Sequence, residues 1–415
     1  MLSAESLRQN GFINMTYWRY FLDGTFLTHL HCAQCSRTYD PRRVQTVCPH
    51  CNKTLMAKYD LVAAGKIVSP HQLSVRRNNL WRYRELLPVY DDHVIVSLGE
   101  GCTPVHQLKK VGGQLGLSNL SIKDESVNPT GSFKARGLCL AISKAKELGI
   151  TEVAMPSAGN AGGALAAYAA KAGVKAHVFV PRDTPVVNIK EVLFYGAALY
   201  LVDGVISDAG KKMNETKQDR NWFDMSTMKE PYRLEGKKTM GFEIAEQFGW
   251  KLPDVIVYPT GGGTGLIGMW KAFREMEELG WISGEKPKMV VVQASGCAPI
   301  VKAFEEKKKV SEFWNNPATI VSGMRVPKAF ADELILSALY ESHGTAISVA
   351  DDELLADMKL VAAEEGILLC PEGAATVSAV RTLTEQGFVQ SSDSVLIFNT
   401  GSAYKYLEVL NSISF

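Results

Sequence analysis

The sequence predicts an α/β fold of two doubly wound units behind a short cysteine-bearing leader. Apolar runs of strand length alternate with helical stripes from about residue 152 onward, and three of those runs end in loops of Gly, Ser, Thr and Asn just before a helix or turn. Near the start, Cys32, Cys35, Cys48 and Cys51 form a C-x2-C-x12-C-x2-C pattern that sets residues 1–60 apart as a leader.

The elements follow in order. The first thirty residues are rich in Tyr, Phe and Trp and show no periodicity. Over 136–148, Leu138, Leu140, Ala141, Ile142, Ala145 and Leu148 form a helical stripe, which puts Lys134 in the first helical turn. A strand over 153–156, a helix over 164–172, strands over 176–180 and 198–202 with a helix over 188–195 between them, and a charged helix over 211–220 make a small parallel unit, assigned to 131–235. A helix over 238–248, strands over 255–258 and 289–293, a helix over 266–279 and a last strand over 395–398 belong to a larger unit, assigned to 61–130 and 236–415. Residues 308–326, with Trp314, Asn315, Asn316 and Pro317, read as a long surface connection.

The chemistry concentrates at the loops. Lys134 ends the turn Asn128-Pro-Thr-Gly-Ser-Phe-Lys. A cation at the positive end of a helix is mildly unfavourable, which helps lower the pKa of an amine used as nucleophile and base. Ser157-Ala-Gly-Asn-Ala-Gly-Gly163 leaves free N–H groups at a helix start, with the Asn160 amide beside them. In Thr260-Gly-Gly-Gly-Thr-Gly265, three consecutive glycines let the backbone close around a phosphate, without the lysine of a Walker loop or the spacing of a dinucleotide fingerprint. Asn399-Thr-Gly-Ser402 sets the hydroxyl of Thr400 at a strand end.

This ordered set resembles the fold-type II pyridoxal-phosphate enzymes, and within them the threonine synthase family. Ser97-Leu-Gly-Glu-Gly-Cys-Thr-Pro104, Glu230-Pro-Tyr-Arg-Leu-Glu-Gly-Lys-Lys238 and Pro371-Glu-Gly-Ala-Ala375 extend the resemblance over nearly the whole chain. It implies pyridoxal 5'-phosphate as cofactor and Lys134 as the catalytic Schiff-base lysine. Asn160 would meet the ring hydroxyl, Gly261, Gly262, Gly263, Thr264 and Gly265 would cup the phosphate, and Thr400 would face the pyridine nitrogen. A neutral hydroxyl there does not enforce a protonated ring, which favours elimination and replacement at the side chain over transamination. Ser157, Ala158 and Gly159 would hold the substrate carboxylate. Arg233 and Lys238, helped by Lys237, with Ser132 and Thr103 as hydroxyl donors, would hold the phosphate of O-phospho-L-homoserine, the implied substrate. Glu372 receives no role.

Two departures keep other reactions open. Ala135 stands where many threonine synthases have aspartate, and the glycine cup replaces an asparagine-containing loop, as in serine and threonine dehydratases. β-Replacement on phosphoserine, as in cysteate synthases, is a further alternative, and a non-catalytic binding protein one from another class.

The cysteine spacing suits a zinc-ribbon-like, structural zinc site with four thiolate ligands and no open position. Two disulfides are the alternative, as is replacement of a ligand by His31 or His50. Cys102, Cys139, Cys297 and Cys370 read as packing residues. With 415 residues, 46% hydrophobic content and a net charge of +1, nothing favours nucleic acid or an anionic membrane as partner. No apolar run approaches the roughly 18 residues of a membrane span. A soluble, cytoplasmic enzyme acting on a small amino acid is expected, as a homodimer, the commonest closed assembly and one frequent in the fold family.

Overall fold

The computed structural model describes residues 24–413, so the opening of the leader, 1–23, lies outside the described residues. Two sheets organise the chain. In the larger, six strands run in the order Thr345–Val349, Lys288–Ala294, Val255–Pro259, Ser394–Asn399, Asn119–Asp124 and Val105–Gln107. All neighbours are parallel except the last pair. The smaller has four parallel strands in the order Ala198–Val202, Lys175–Pro181, Glu152–Pro156 and Phe223–Asp224.

Burial on both faces explains the near-continuous apolar runs. Along the central strands of the larger sheet, Ile256, Tyr258, Met289, Val291, Leu396 and Phe398 enter one core cluster, while Val255, Val257, Val290, Val292, Val395 and Ile397 enter another. The period of two divides each strand between two helical layers. In the smaller sheet Val153, Met155 and Val178 face one cluster, and Ala154 and Phe179 the other.

Cys32 ends the middle strand of a three-stranded antiparallel sheet ordered Thr38–Tyr39, Leu27–Cys32 and Leu55–Tyr59, and Cys35, Cys48 and Cys51 lie in the turns between the strands. This module shares a core with the small sheet: Leu30, Cys32, Cys48 and Leu55 join Ala135, Leu138 and Met155 in one cluster.

Several helices begin earlier than the sequence pattern suggests, among them the charged helix expected at 211, which spans Ile206–Lys217, and in two of them a side chain satisfies the first N–H groups. The helix expected at 164 starts at Asn160 and spans Asn160–Ala172, with Ser157 Oγ accepting the Gly162 N–H at 2.9 Å. The helix expected at 238 spans Tyr232–Gln247, where Glu230 Oε2 accepts the N–H groups of Tyr232 at 2.7 Å and Arg233 at 3.0 Å. The expected surface connection at 308–326 has no helix or strand, yet Val321 and Met324 are fully buried, and part of the segment walls a cleft.

Candidate active site

A cleft of about 770 Å³ gathers the loops that the sequence singled out. Lys134, Ser157, Ala158, Gly159, Asn160, Arg233, the loop Gly261–Gly265, Glu372 and Thr400 all line it. Lys134 opens the helix Lys134–Glu147, and its Nζ lies 3.7 Å from the ring centroid of Phe133. Pairing between loops brings Lys134 to Thr400: the Phe133 N–H donates to Thr400 O at 3.1 Å, and the Ser402 N–H to Gly131 O at 2.8 Å.

Burial pushes the Lys134 amine down from 10.5 to about 7. The Glu372 carboxylate opposes that shift, and the charges of Arg233 and Lys405 add to it. Lys237 is also fully buried, its Nζ has no hydrogen-bond partner, and its pKa is held well below the usual lysine range by burial, then by Arg233 and Lys134. Arg233 donates from Nη1 to Met225 O at 2.6 Å, while its buried Nε has no partner.

The glycine loop closes tightly around its place. Gly263 has φ +74°, in the left-handed region that glycine tolerates. A Cβ on Gly262 would lie 2.8 Å from Thr227 Cγ2, and one on Gly265 would overlap the Tyr258 ring. The loop leads into the helix Thr264–Glu278, so its N–H groups and the helix dipole suit an anion.

Pyridoxal phosphate suits these residues. Asn160 Oδ1, Arg233 Nε and Glu372 Oε2 are buried polar atoms without partners on cleft-lining residues. Each such atom costs about 1–3 kcal/mol when left unsatisfied, so the cleft favours a polar ligand. Asn160 is held by its Nδ2, which donates to Tyr406 Oη at 3.1 Å, leaving Oδ1 free.

Four expected contacts are placed differently. Lys238 lies outside the cleft, bonded to Glu235 at 2.6 Å, Glu275 at 2.9 Å and Leu86 O at 2.8 Å. The reason is helical phase: Arg233 and Lys237 are four residues apart and share a face, and the next residue turns about 100° away. Thr103 also lies outside, where its hydroxyl donates to Glu125 Oε1 at 2.6 Å and accepts from Arg136 Nη2 at 3.2 Å. Ser157 lines the cleft, but its hydroxyl donates to Gly159 O at 2.9 Å and its N–H to Phe179 O, so it shapes the loop. Ser132 is buried beside Gly401, with an unpartnered Oγ, and does not line the cleft.

Sequence reasoning missed the scaffold beneath the site. Arg136 is fully buried between two carboxylates, with Nε 2.7 Å from Glu125 and Nη1 2.5 Å from Glu243, and Lys123 lies 3.1 Å from Glu243. Its position two residues after Lys134 was the only signal. At the leader, one ligand atom from each of Cys32, Cys35, Cys48 and Cys51 lies within 4.8 Å of the others, a set able to hold a metal ion.

Fold and site together define a pyridoxal-phosphate dependent enzyme, and the family model of that description matches residues 96–401. Threonine synthase of Methanocaldococcus jannaschii is 36% identical over 375 residues, 90% of this chain and 92% of that relative. Threonine synthase of Mycobacterium bovis is 32% identical, covering 78% of this chain and 87% of the relative. The chain therefore belongs to the threonine synthase family of pyridoxal-phosphate dependent enzymes. Maize serine racemase superposes with a TM-score of 0.63 at 21% identity, over 74% of this chain and 93% of that one, a likeness of fold alone. No helix among the described residues is long and apolar enough to cross a membrane.

Proposed function

We propose that this chain converts O-phospho-L-homoserine and water to L-threonine and phosphate, the reaction implied by its resemblance to relatives named threonine synthase. The observation that carries the reading is the buried amine of Lys134, in one cleft with the glycine loop, Asn160, Thr400 and the desolvated cation Arg233. Lys134 would hold pyridoxal phosphate, Gly261–Gly265 its phosphate, Asn160 the ring hydroxyl and Thr400 the pyridine nitrogen. When bound, the cofactor would supply an electron sink for the charge left as protons leave the substrate carbons.

The chain's own residues do the rest. Lys134, with its pKa near 7, is poised to take the Cα proton at neutral pH. The backbone of Ala158 and Gly159 would hold the substrate carboxylate. Arg233 stabilises the phosphate as charge gathers on the departing oxygen, and its burial strengthens that attraction. Lys237, on the same helical face, adds a second amine close to that charge. The four cysteines would bind one structural zinc. With all four positions filled by the protein, the metal takes no part in the reaction. The assigned units 131–235 and 61–130 with 236–415 would flank the cleft, and a homodimer is the assembly the family implies.

Incubating the enzyme and pyridoxal phosphate with O-phospho-L-homoserine should release threonine and phosphate in equal amounts. Lys134→Ala should release neither. A keto acid and ammonia from serine or threonine, or turnover of phosphoserine alone, would move the activity to a dehydratase or a β-replacement enzyme.

A further inference from the structure

The cleft is more cationic than the chain that builds it. Lys53, Lys211, Lys229, Lys328 and Arg233 line it beside Lys134, against two carboxylates, Asp332 and Glu372. Even with Lys134 set aside, because burial pushes its amine down to about 7, the cleft holds an excess of three positive charges. The whole chain, with 45 Lys and Arg against 44 Asp and Glu, has an excess of one. Charge of one sign gathered between low-dielectric walls focuses a field on an approaching ion.

The lining charges differ in their partners. Lys53 pairs with Glu333 at 2.8 Å, and Lys211 lies 3.5 Å from Asp208. The two carboxylates turn to the protein: Asp332 accepts the N–H and hydroxyl of Ser311 at 2.8 and 2.7 Å, and Glu372 accepts from Tyr406 Oη at 2.7 Å and the Gly323 N–H at 3.0 Å. Lys229 and Lys328 make no ion pair among the described residues. Lys328 is exposed, and the half-buried Lys229 sets its Nζ 5.6 Å from the ring centroid of Phe330, two residues beyond Lys328. One ammonium group thus comes from the stretch just before the helix Tyr232–Gln247 that carries Arg233, the other from the segment that walls the cleft. Like charges brought to one cleft without counter-charges repel each other, so the fold gains nothing from the pair.

We infer that Lys229 and Lys328 form an outer capture site for phosphate dianions, drawing them into the cleft ahead of Arg233. For the substrate this inference rests on the phosphohomoserine reading. At neutral pH the ammonium and carboxylate of phosphohomoserine cancel, and its phosphate carries about 1.5 to 2 negative charges. Serine and threonine carry no net charge, so the field favours the phosphorylated amino acid before any reacting atom is touched. The same field acts on the phosphate of pyridoxal phosphate as apoenzyme takes it up.

The double variant Lys229→Gln, Lys328→Gln removes the site. Its control is Lys146→Gln, Lys171→Gln, which deletes the same charge at the far ends of the two helices whose first residues, Lys134 and Asn160, line the cleft. At low ionic strength kcat/KM for phosphohomoserine should fall about three- to tenfold in the cleft variant, with kcat within about twofold of wild type. The gap should close as salt shortens the screening length from about 30 Å at 0.01 M to about 3 Å at 1 M. A gap that survives high salt reveals a structural role and overturns the inference, as does an equal fall in the control.

A second readout needs no turnover. The second-order rate at which apoenzyme captures pyridoxal phosphate, followed by stopped-flow absorbance at about pH 8.5 where Lys134 is neutral, should show the same salt-dependent gap. Capture at the wild-type rate in low salt overturns the site. Wild-type enzyme that forms no threonine from phosphohomoserine sinks the substrate reading alone, because cofactor capture still reports the field.

Discussion

Gly236→Ala probes how the reactive lysine is held in place. Gly236 lies where the helix Tyr232–Gln247, which carries Arg233, crosses the helix Lys134–Glu147. An added Cβ would overlap Arg136 O and sit 2.7 Å from the Arg136 carbonyl carbon and 2.9 Å from Gly137 Cα, all backbone that cannot rotate away. Ordinary contacts begin at 3.4 Å, and the overlap with Arg136 O sets the demand, so the helices must part by more than about 1 Å, and overpacking of this kind costs at least about 1–3 kcal/mol. Displacing Lys134 relative to Arg233 by about an ångström or more should lower kcat about 10- to 100-fold. Urea unfolding followed by fluorescence, together with a phosphate-release assay, reads both effects. Gly113→Ala is the control: it is helical, with nothing within 4 Å of the added Cβ, and should be neutral or stabilising by about 0.4–1 kcal/mol. If Gly236→Ala unfolds at the wild-type urea concentration and turns over at the wild-type rate, the helix crossing does not set the site.

Arg136→Met would strip the buried Glu125 carboxylate of its cation and leave Glu243 with Lys123 alone, and urea unfolding should show a loss of about 3–5 kcal/mol. Lys238→Met should lower stability while leaving KM for phosphohomoserine unchanged, whereas Arg233→Gln should raise that KM at least about tenfold; equal effects on KM would place Lys238 back in the cleft. Capture of pyridoxal phosphate by wild-type apoenzyme should have a midpoint near pH 7, measured by stopped-flow absorbance from pH 5.5 to about 9, because only the neutral amine reacts. The sign for stability follows: an unfolded lysine keeps its proton until about 10.5, so this group makes folding more favourable as pH rises from about 7 toward that value. Replacing Cys32 with Ser should reduce bound zinc below one per chain by elemental analysis and lower the melting temperature, while retained metal would count against a four-thiolate site.

Most of the loops that meet in the cleft were legible from the sequence, because each is a local signal: small residues after an apolar run, with a helix pattern behind them. The buried strands were legible for a related reason, since burial on both faces leaves a continuous apolar run such as 255–259. The cysteine knuckles announced themselves by spacing alone. Helical phase was not readable while the start of the helix at Tyr232 was hidden, so Lys237 and Lys238 could not be told apart, though one neighbours Lys134 and the other pairs with Glu235 and Glu275. Nor could sequence show that Thr103 serves Arg136, that residues between 308 and 330 wall the cleft, or that Glu372 turns a bare oxygen into it. Those facts depend on contacts between residues far apart in the chain, such as Gly323 with Glu372 and Tyr406 with Asn160. Local pattern determines where a strand ends and a helix begins. Which buried polar atoms find partners, and which are left facing a ligand, is decided only when the loops pack together.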